Sequence, residues 1–162
     1  MMNRKYVVMG VSGCGKSSIG AALSQKLNIP FFDGDDFHPA ENVQKMQNGQ
    51  PLTDADRQSW LETLNTLINE NDALVIACSA LKPEYRNLLR QGNPDIRFIY
   101  LKGDFDTIWS RHQKREGHYF NGSAMLESQF DTLVEPNEQE ALHVDIKQSP
   151  QQIIQYILAN LA

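Results

Sequence analysis

The stretch YVVMGVSGCGKSSIG, residues 6–20, decides how the rest of the chain is read. Residues 6–9 are a short apolar run without polar alternation, which predicts a strand buried on both faces. Beyond the glycines, Ile19, Ala22, Leu23 and Leu27 recur at helical spacing, and Asn28 with Pro30 ends the helix. Between strand and helix, Gly10, Gly15, Lys16 and Ser17 satisfy the pattern G-x-x-x-x-G-K-[ST] in the context that gives it meaning. On the order of one random chain in a hundred of this length contains the pattern by composition alone. Glycines let the backbone take bends closed to other residues, so successive N–H groups can point inward at phosphate oxygens. The helix that follows aims its positive end at the same spot. Lys16 is then placed to reach the β- and γ-phosphates, and the Ser17 hydroxyl to ligate Mg²⁺.

The remaining chain extends this strand-loop-helix unit. Residues 29–32, 73–77, 96–101 and 141–146 read as further strands. Helices are expected near 39–48, from a cap at Thr53 or Asp54 through Ile68, at 83–90, from Asp104 to about 116, at 123–132, and at the C-terminal end around Ile153, Ile157 and Leu161. Short buried strands alternating with helices demand parallel pairing and right-handed crossovers. The expectation is a three-layer α/β/α domain with a parallel sheet of about five strands, occupying residues 1–162 as one unit.

Bulk properties narrow the classes. The chain has 162 residues, 41% hydrophobic and 22% charged, enough to bury a core without staples and too apolar for disorder. A net charge of −5 without long runs of one sign argues against nucleic acid or an anionic membrane as the main partner. No apolar stretch is long enough for a signal peptide or a membrane span, so a cytoplasmic protein is expected. Cys14 and Cys78 are too few for a disulfide framework, and the four histidines form no metal-binding pattern. A redox switch between loop and strand is conceivable, but a small residue filling space is the simpler reading of each cysteine.

A phosphate loop says nucleoside triphosphate and little more. The guanine-reading N-K-x-D pattern is absent, and the strand ALVIA ends in Cys78-Ser79 rather than in an aspartate. Carboxylates must come from DGDD, at the end of the second strand, expected beside the first in the sheet. Phosphoryl transfer needs a metal on the phosphates and a carboxylate to take the proton of the attacking hydroxyl. Asp33 and Asp35 share a side if the strand continues, and Asp36 faces elsewhere. Arg57, Lys82 and Arg86 return toward the sheet's carboxyl edge, where open α/β folds bind ligands. Arg111 and Arg115 are four apart on one helix face, before the polar segment GHYFNGS, which has the composition of a mobile loop. Arginines there could swing onto the transferring group as the loop closes. His38 and His118 follow loops near the presumed site and could hydrogen-bond a polyhydroxy substrate.

GVSGCGKSSIG, FFDGDDFHPAENVQKMQNGQPLTDADRQSWL, CSALKPEYRNLLR, IRFIYLKGD and the segment from RHQKREGHYF to SQFDTLVEP resemble the small bacterial gluconate kinases over nearly the whole chain. The phosphate loop is generic; DGDDFHP with PLTDADR, and CSALK with YR, are specific to that family. The resemblance implies a P-loop kinase fold with a helical lid at about 111–132, ATP and Mg²⁺, a homodimer, and phosphorylation of the terminal hydroxyl of D-gluconate to 6-phosphogluconate. It puts Gly10, Val11, Ser12, Gly13, Cys14, Gly15, Lys16, Ser17 and Ser18 on the phosphates and metal. It makes Asp35 the base, Asp33 the carboxylate behind the metal's water shell, and Arg111 and Arg115 the lid arginines. Arg57, Lys82 and Arg86 remain candidates for the substrate carboxylate. Cys14 departs from the family, where serine is frequent. A shikimate-type or nucleotide kinase and a nucleotide-binding regulator are the alternatives.

Overall fold

The computed structural model describes residues 4–113 and 123–161. Among them, five strands form one parallel sheet: β1 (Arg4–Met9), β2 (Phe31–Asp33), β3 (Ala73–Ala77), β4 (Arg97–Lys102) and β5 (Ala141–Asp145), in the order β2-β3-β1-β4-β5. Successive side chains of a strand point to opposite faces, and Val7, Val8 and Met9 are all 0% exposed. Both faces of the central strand are therefore covered, which is what three layers require.

The helices are α1 (Lys16–Leu27), α2 (Ala40–Gln47), α3 (Asp54–Glu70), α4 (Pro83–Arg90), α5 (Phe105–Gln113), α6 (Ser123–Thr132) and α7 (Pro150–Asn160). Of the two residues expected to cap α3, Thr53 does so: its hydroxyl accepts from Asp56 N at 3.1 Å, and the Asp56 carboxylate accepts from Thr53 N at 2.9 Å. Asp104 closes the start of α5 as expected, accepting from Thr107 N at 2.8 Å.

Two features depart from the sequence-based expectation. β2 does not lie beside β1, because β3 is inserted between them. The DGDD segment also does not continue as a strand. Residues Gly34–Phe37 form a single 3-10 turn, closed by the Asp33 carboxylate accepting from Asp35 N at 3.1 Å. Only glycine fits at position 34, since a Cβ there would stand 2.5 Å from the Ala77 carbonyl oxygen. Buried Trp60 holds the turn from below, donating its indole N–H to Gly34 O at 2.7 Å. Trp60, a core residue by its burial, is thus also the support on which the acidic segment rests.

The loops leaving β1 and β3 are tied together at the sheet's carboxyl edge. Cys78 N donates to Val8 O at 3.1 Å, and Gly10 N to Ser79 O at 3.3 Å. This edge carries the site.

Candidate active site

The phosphate loop has the backbone its glycines predict. Gly13 and Gly15 sit at φ +84° and +95°, and Gly15 is the N-cap of α1 with no side chain satisfying the first helical N–H groups. Such a helix start is an anion site by construction. Cys14 is 2% exposed, and its sulfur stands 2.7 Å from where a Cβ on Gly10 would be, so it packs tightly against the start of the loop. Cys78 is also buried, and burial pushes its thiol up to about 12, which leaves it protonated and poorly nucleophilic.

Although β2 is two strands away from β1, its end still reaches the loop. Ser17 Oγ donates to Asp33 Oδ2 at 2.8 Å, while Asp33 Oδ1 holds the 3-10 turn. A hydroxyl and a carboxylate side by side are the hard oxygen donors Mg²⁺ prefers, with phosphate and water completing its shell. No cluster of three or more His, Cys, Asp or Glu able to hold a metal is present among the described residues.

The turn lifts Asp35 into a chamber bordered by Lys16, His38, Arg57, Ser79 and Gln129. Burial raises the Asp35 carboxyl above its ordinary value, against the opposing pull of Lys16. A carboxylate tuned upward beside a lysine is suited to take a proton from a hydroxyl. The His38 side chain is 2% exposed, stacks on Trp60 at 4.0 Å between ring centroids and contacts Asn42 Nδ2 at 3.3 Å. Burial, and secondarily Arg57, lower its pKa to about 4, so at neutral pH it is an uncharged hydrogen-bonding ring.

The three cations expected on a substrate carboxylate separate into different roles. Arg57 borders the chamber, donating to Tyr85 Oη at 3.0 Å with its guanidinium 5.4 Å from that ring's centroid. Lys82 does not line the chamber; it lies beside Tyr85, and it and the Tyr85 hydroxyl both bind the exposed Asp54 carboxylate, Lys82 at 3.0 Å. Arg86 is placed differently from expectation. It is 1% exposed, and its nitrogens are occupied by Ala80 O at 2.7 Å, Glu140 Oε2 at 3.0 Å and Val134 O at 3.0 Å. Ala80 has φ +46°, costly for a residue with a side chain. Arg86 thus clamps the bent loop after β3 rather than facing a ligand.

Arg111, at the start of the expected lid, is engaged with backbone. Its Nη2 donates to Ile146 O at 2.6 Å, and with Gly13, Gly15, Ser18 and Pro150 it lines a separate groove of ≈270 Å³ that includes residues of the phosphate loop. That groove can take the base or sugar of a nucleotide whose phosphates lie in the loop. Arg115 and His118 lie outside the described residues, as does the middle of the expected lid.

Ser79, Asp54, Tyr85 and Gln129 were not legible as site residues. Asp54 read as a helix cap; because Thr53 takes that task, the aspartate is released to bind Lys82. Nothing in the local pattern of α6 marks Gln129.

The family model described as shikimate kinase matches residues 12–162. The thermoresistant gluconokinase of Escherichia coli (strain K12) is 50% identical over 149 residues, 88% of this chain and 85% of that one. The thermosensitive gluconokinase of the same organism is 45% identical over 152 residues, 90% of this chain and 81% of the other. Among solved structures, a gluconokinase from Sinorhizobium meliloti 1021 superposes with a TM-score of 0.90 at 40% identity, covering 98% of this chain and 91% of that one. A shikimate kinase from Aquifex aeolicus, at TM-score 0.61 and 20% identity, shares the fold.

Proposed function

The chain belongs to the shikimate kinase family of P-loop kinases and, within it, to the gluconokinases, and from that premise we propose that it transfers the γ-phosphoryl group of ATP to the terminal hydroxyl of D-gluconate, giving 6-phosphogluconate and ADP. The observation that carries the reading is the chamber in which Lys16 and an upward-shifted Asp35 adjoin the phosphate loop with Arg57 and His38 beside them. A small polyhydroxy acid needs that set: a cation for its carboxylate, neutral hydrogen-bonding groups for its hydroxyls, and a base at the reacting one.

In this reading the backbone between Gly10 and Ser18 cradles the triphosphate, and Lys16 bridges toward the γ-phosphate. Mg²⁺, when bound, neutralises phosphate charge; Ser17 and, through water, Asp33 are the residues that would hold it. Asp35 orients the terminal hydroxyl of gluconate and accepts its proton. Arg57, kept in place by Tyr85, takes the substrate carboxylate, with Lys82 in support beside that tyrosine. His38 hydrogen-bonds a hydroxyl of the chain. Arg111 flanks the nucleotide beside Pro150, and Arg115 and His118 belong to a lid at about 111–132. The enzyme is one kinase domain over 1–162, working in the cytoplasm as a homodimer, with no nucleic-acid or membrane partner. No helix among the described residues is long and apolar enough to cross a membrane.

A shikimate-type acceptor is the second reading, favoured by the family model's own description. A coupled ADP-release assay separates the two. The expected result is a rate with gluconate far above that with shikimate or nucleoside monophosphates; a rate with shikimate equal to or above that with gluconate overturns the assignment.

A further inference from the structure

Beyond the loop and the base, one side chain touches both halves of the site. Gln129, on α6, is 7% exposed and lies 117 residues from the phosphate loop in sequence, yet its side-chain carbonyl accepts from Ser12 N at 2.6 Å. This is a backbone amide of the loop itself, of the kind that ordinarily faces phosphate. Gln129 and its neighbour Ser128 also border the chamber that holds Asp35 and Lys16. The Gln129 amide nitrogen makes no hydrogen bond among the described residues. The Ser12 hydroxyl is buried and likewise lacks a partner there. A buried hydroxyl of this kind is left unpaired only where something else supplies the partner.

The chain just after α6 is bonded to the acceptor side. Val134 N donates to Leu81 O at 2.8 Å, and Val134 O accepts from the buried Arg86 at 3.0 Å, which fixes the segment after α6 to the loop leaving β3. Gln129 therefore projects from a wall held on the acceptor side and grips a loop that serves the nucleotide side.

The geometry points to Gln129 as a positioning residue that couples the two substrates: its carbonyl sets the Ser12 bend of the phosphate loop, and its amide NH₂ forms part of the acceptor wall. An acceptor that orders this wall orders the loop through the same side chain, and nucleotide binding returns the effect, because coupling between two binding sites is reciprocal. The inference rests on the kinase reading above and adds to it a residue outside the phosphate-loop motif, the acidic segment and the cationic set.

The test measures binding of a non-hydrolysable ATP analogue by calorimetry, with and without saturating gluconate, in the full chain carrying Mg²⁺. Wild type should bind the analogue about fivefold or more tightly when gluconate is present, within the usual range of coupling factors. Gln129→Met, similar in length but without the carbonyl or the NH₂, should bring the ratio below about twofold and reduce kcat more than either KM. Gln129→Asn, a methylene short of Ser12, should behave the same way and serves if the methionine variant does not fold. Thermal melts report the fold of each variant, and a purely structural role would lower the melting temperature while leaving the ratio at its wild-type value. Retention of the full ratio in a folded variant, or absence of any ratio in a wild type that turns gluconate over, overturns the inference. Failure of wild type to phosphorylate gluconate at all would instead strike the assigned reaction.

Discussion

Replacing Asp35 by asparagine isolates proton transfer from everything else the site does. The amide matches the carboxylate in size, and the hydrogen bond closing the acidic turn runs from the Asp35 backbone N to Asp33, so the turn survives. What is lost is a base, a contribution of about 10²–10⁴ in rate, equivalent to roughly 3–5 kcal/mol of barrier. Affinity for ATP should change by less than about threefold, and toward tighter binding, since a negative charge that interacts with Lys16 is removed. Stability should move the opposite way from activity. Burial raises the folded-state pKa of Asp35, so the native state binds the proton more readily than the unfolded chain, and folding weakens as pH rises through the interval above 3.8. Asparagine carries no such penalty, and the variant's melting temperature at pH 7 should equal or exceed that of wild type, as expected where a site trades stability for function. Steady-state kinetics, calorimetry with ATP and a thermal melt together make the assay. A kcat within tenfold of wild type would remove Asp35 from the role of base, and loss of ATP binding alongside kcat would show general damage instead.

Further outcomes follow from other contacts. Arg57→Leu should raise the KM for gluconate about tenfold or more, the worth of one hydrogen bond to a charged group, with little change in melting temperature. Arg86→Leu should do the reverse, costing about 2–3 kcal/mol by leaving the Ala80 and Val134 carbonyls without their donor and removing one of the two arginines on Glu140, which is roughly 4–12 °C for a chain this size. A shared rise in KM would return Arg86 to the substrate. Gly34→Ala should cost about 1–3 kcal/mol through overpacking against Ala77 O, visible as a lower denaturant midpoint; an unchanged midpoint would mean the turn can relax. His38 titrates near 4 when folded and near 6.5 in the unfolded chain. The unfolded state therefore binds more protons between those values, and stability falls as pH drops from 6.5 toward 4, by at most about 3 kcal/mol. His38→Gln should flatten that slope of melting temperature against pH, and a slope left intact would assign it to other groups.

The fold was legible because its strands are short unbroken apolar runs and its helices carry stop signals at both ends. Strand order was less so: both β2 and β3 begin as short apolar runs, and which of them adjoins β1 depends on crossovers that no local pattern records. The phosphate loop declared itself because its function is executed by backbone, and backbone geometry writes itself in glycines. Side chains that act across long separations left no such mark. Arg57 and Arg86 look equivalent in sequence; one borders the chamber, and the other is spent on the strained Ala80 loop and Glu140. Gln129 meets Ser12 only after the sheet has brought α6 over the phosphate loop, a placement set by tertiary packing.

Phosphorus NMR of the product formed from gluconate and ATP tests the assigned chemistry most directly. Transfer to the terminal carbon gives a phosphate resonance split into a triplet by the two protons of a CH₂ group, and that pattern is expected together with stoichiometric ADP. A doublet, from phosphate on a secondary carbon, or free inorganic phosphate in place of a phosphate ester, would contradict a site built around Asp35 and the terminal hydroxyl.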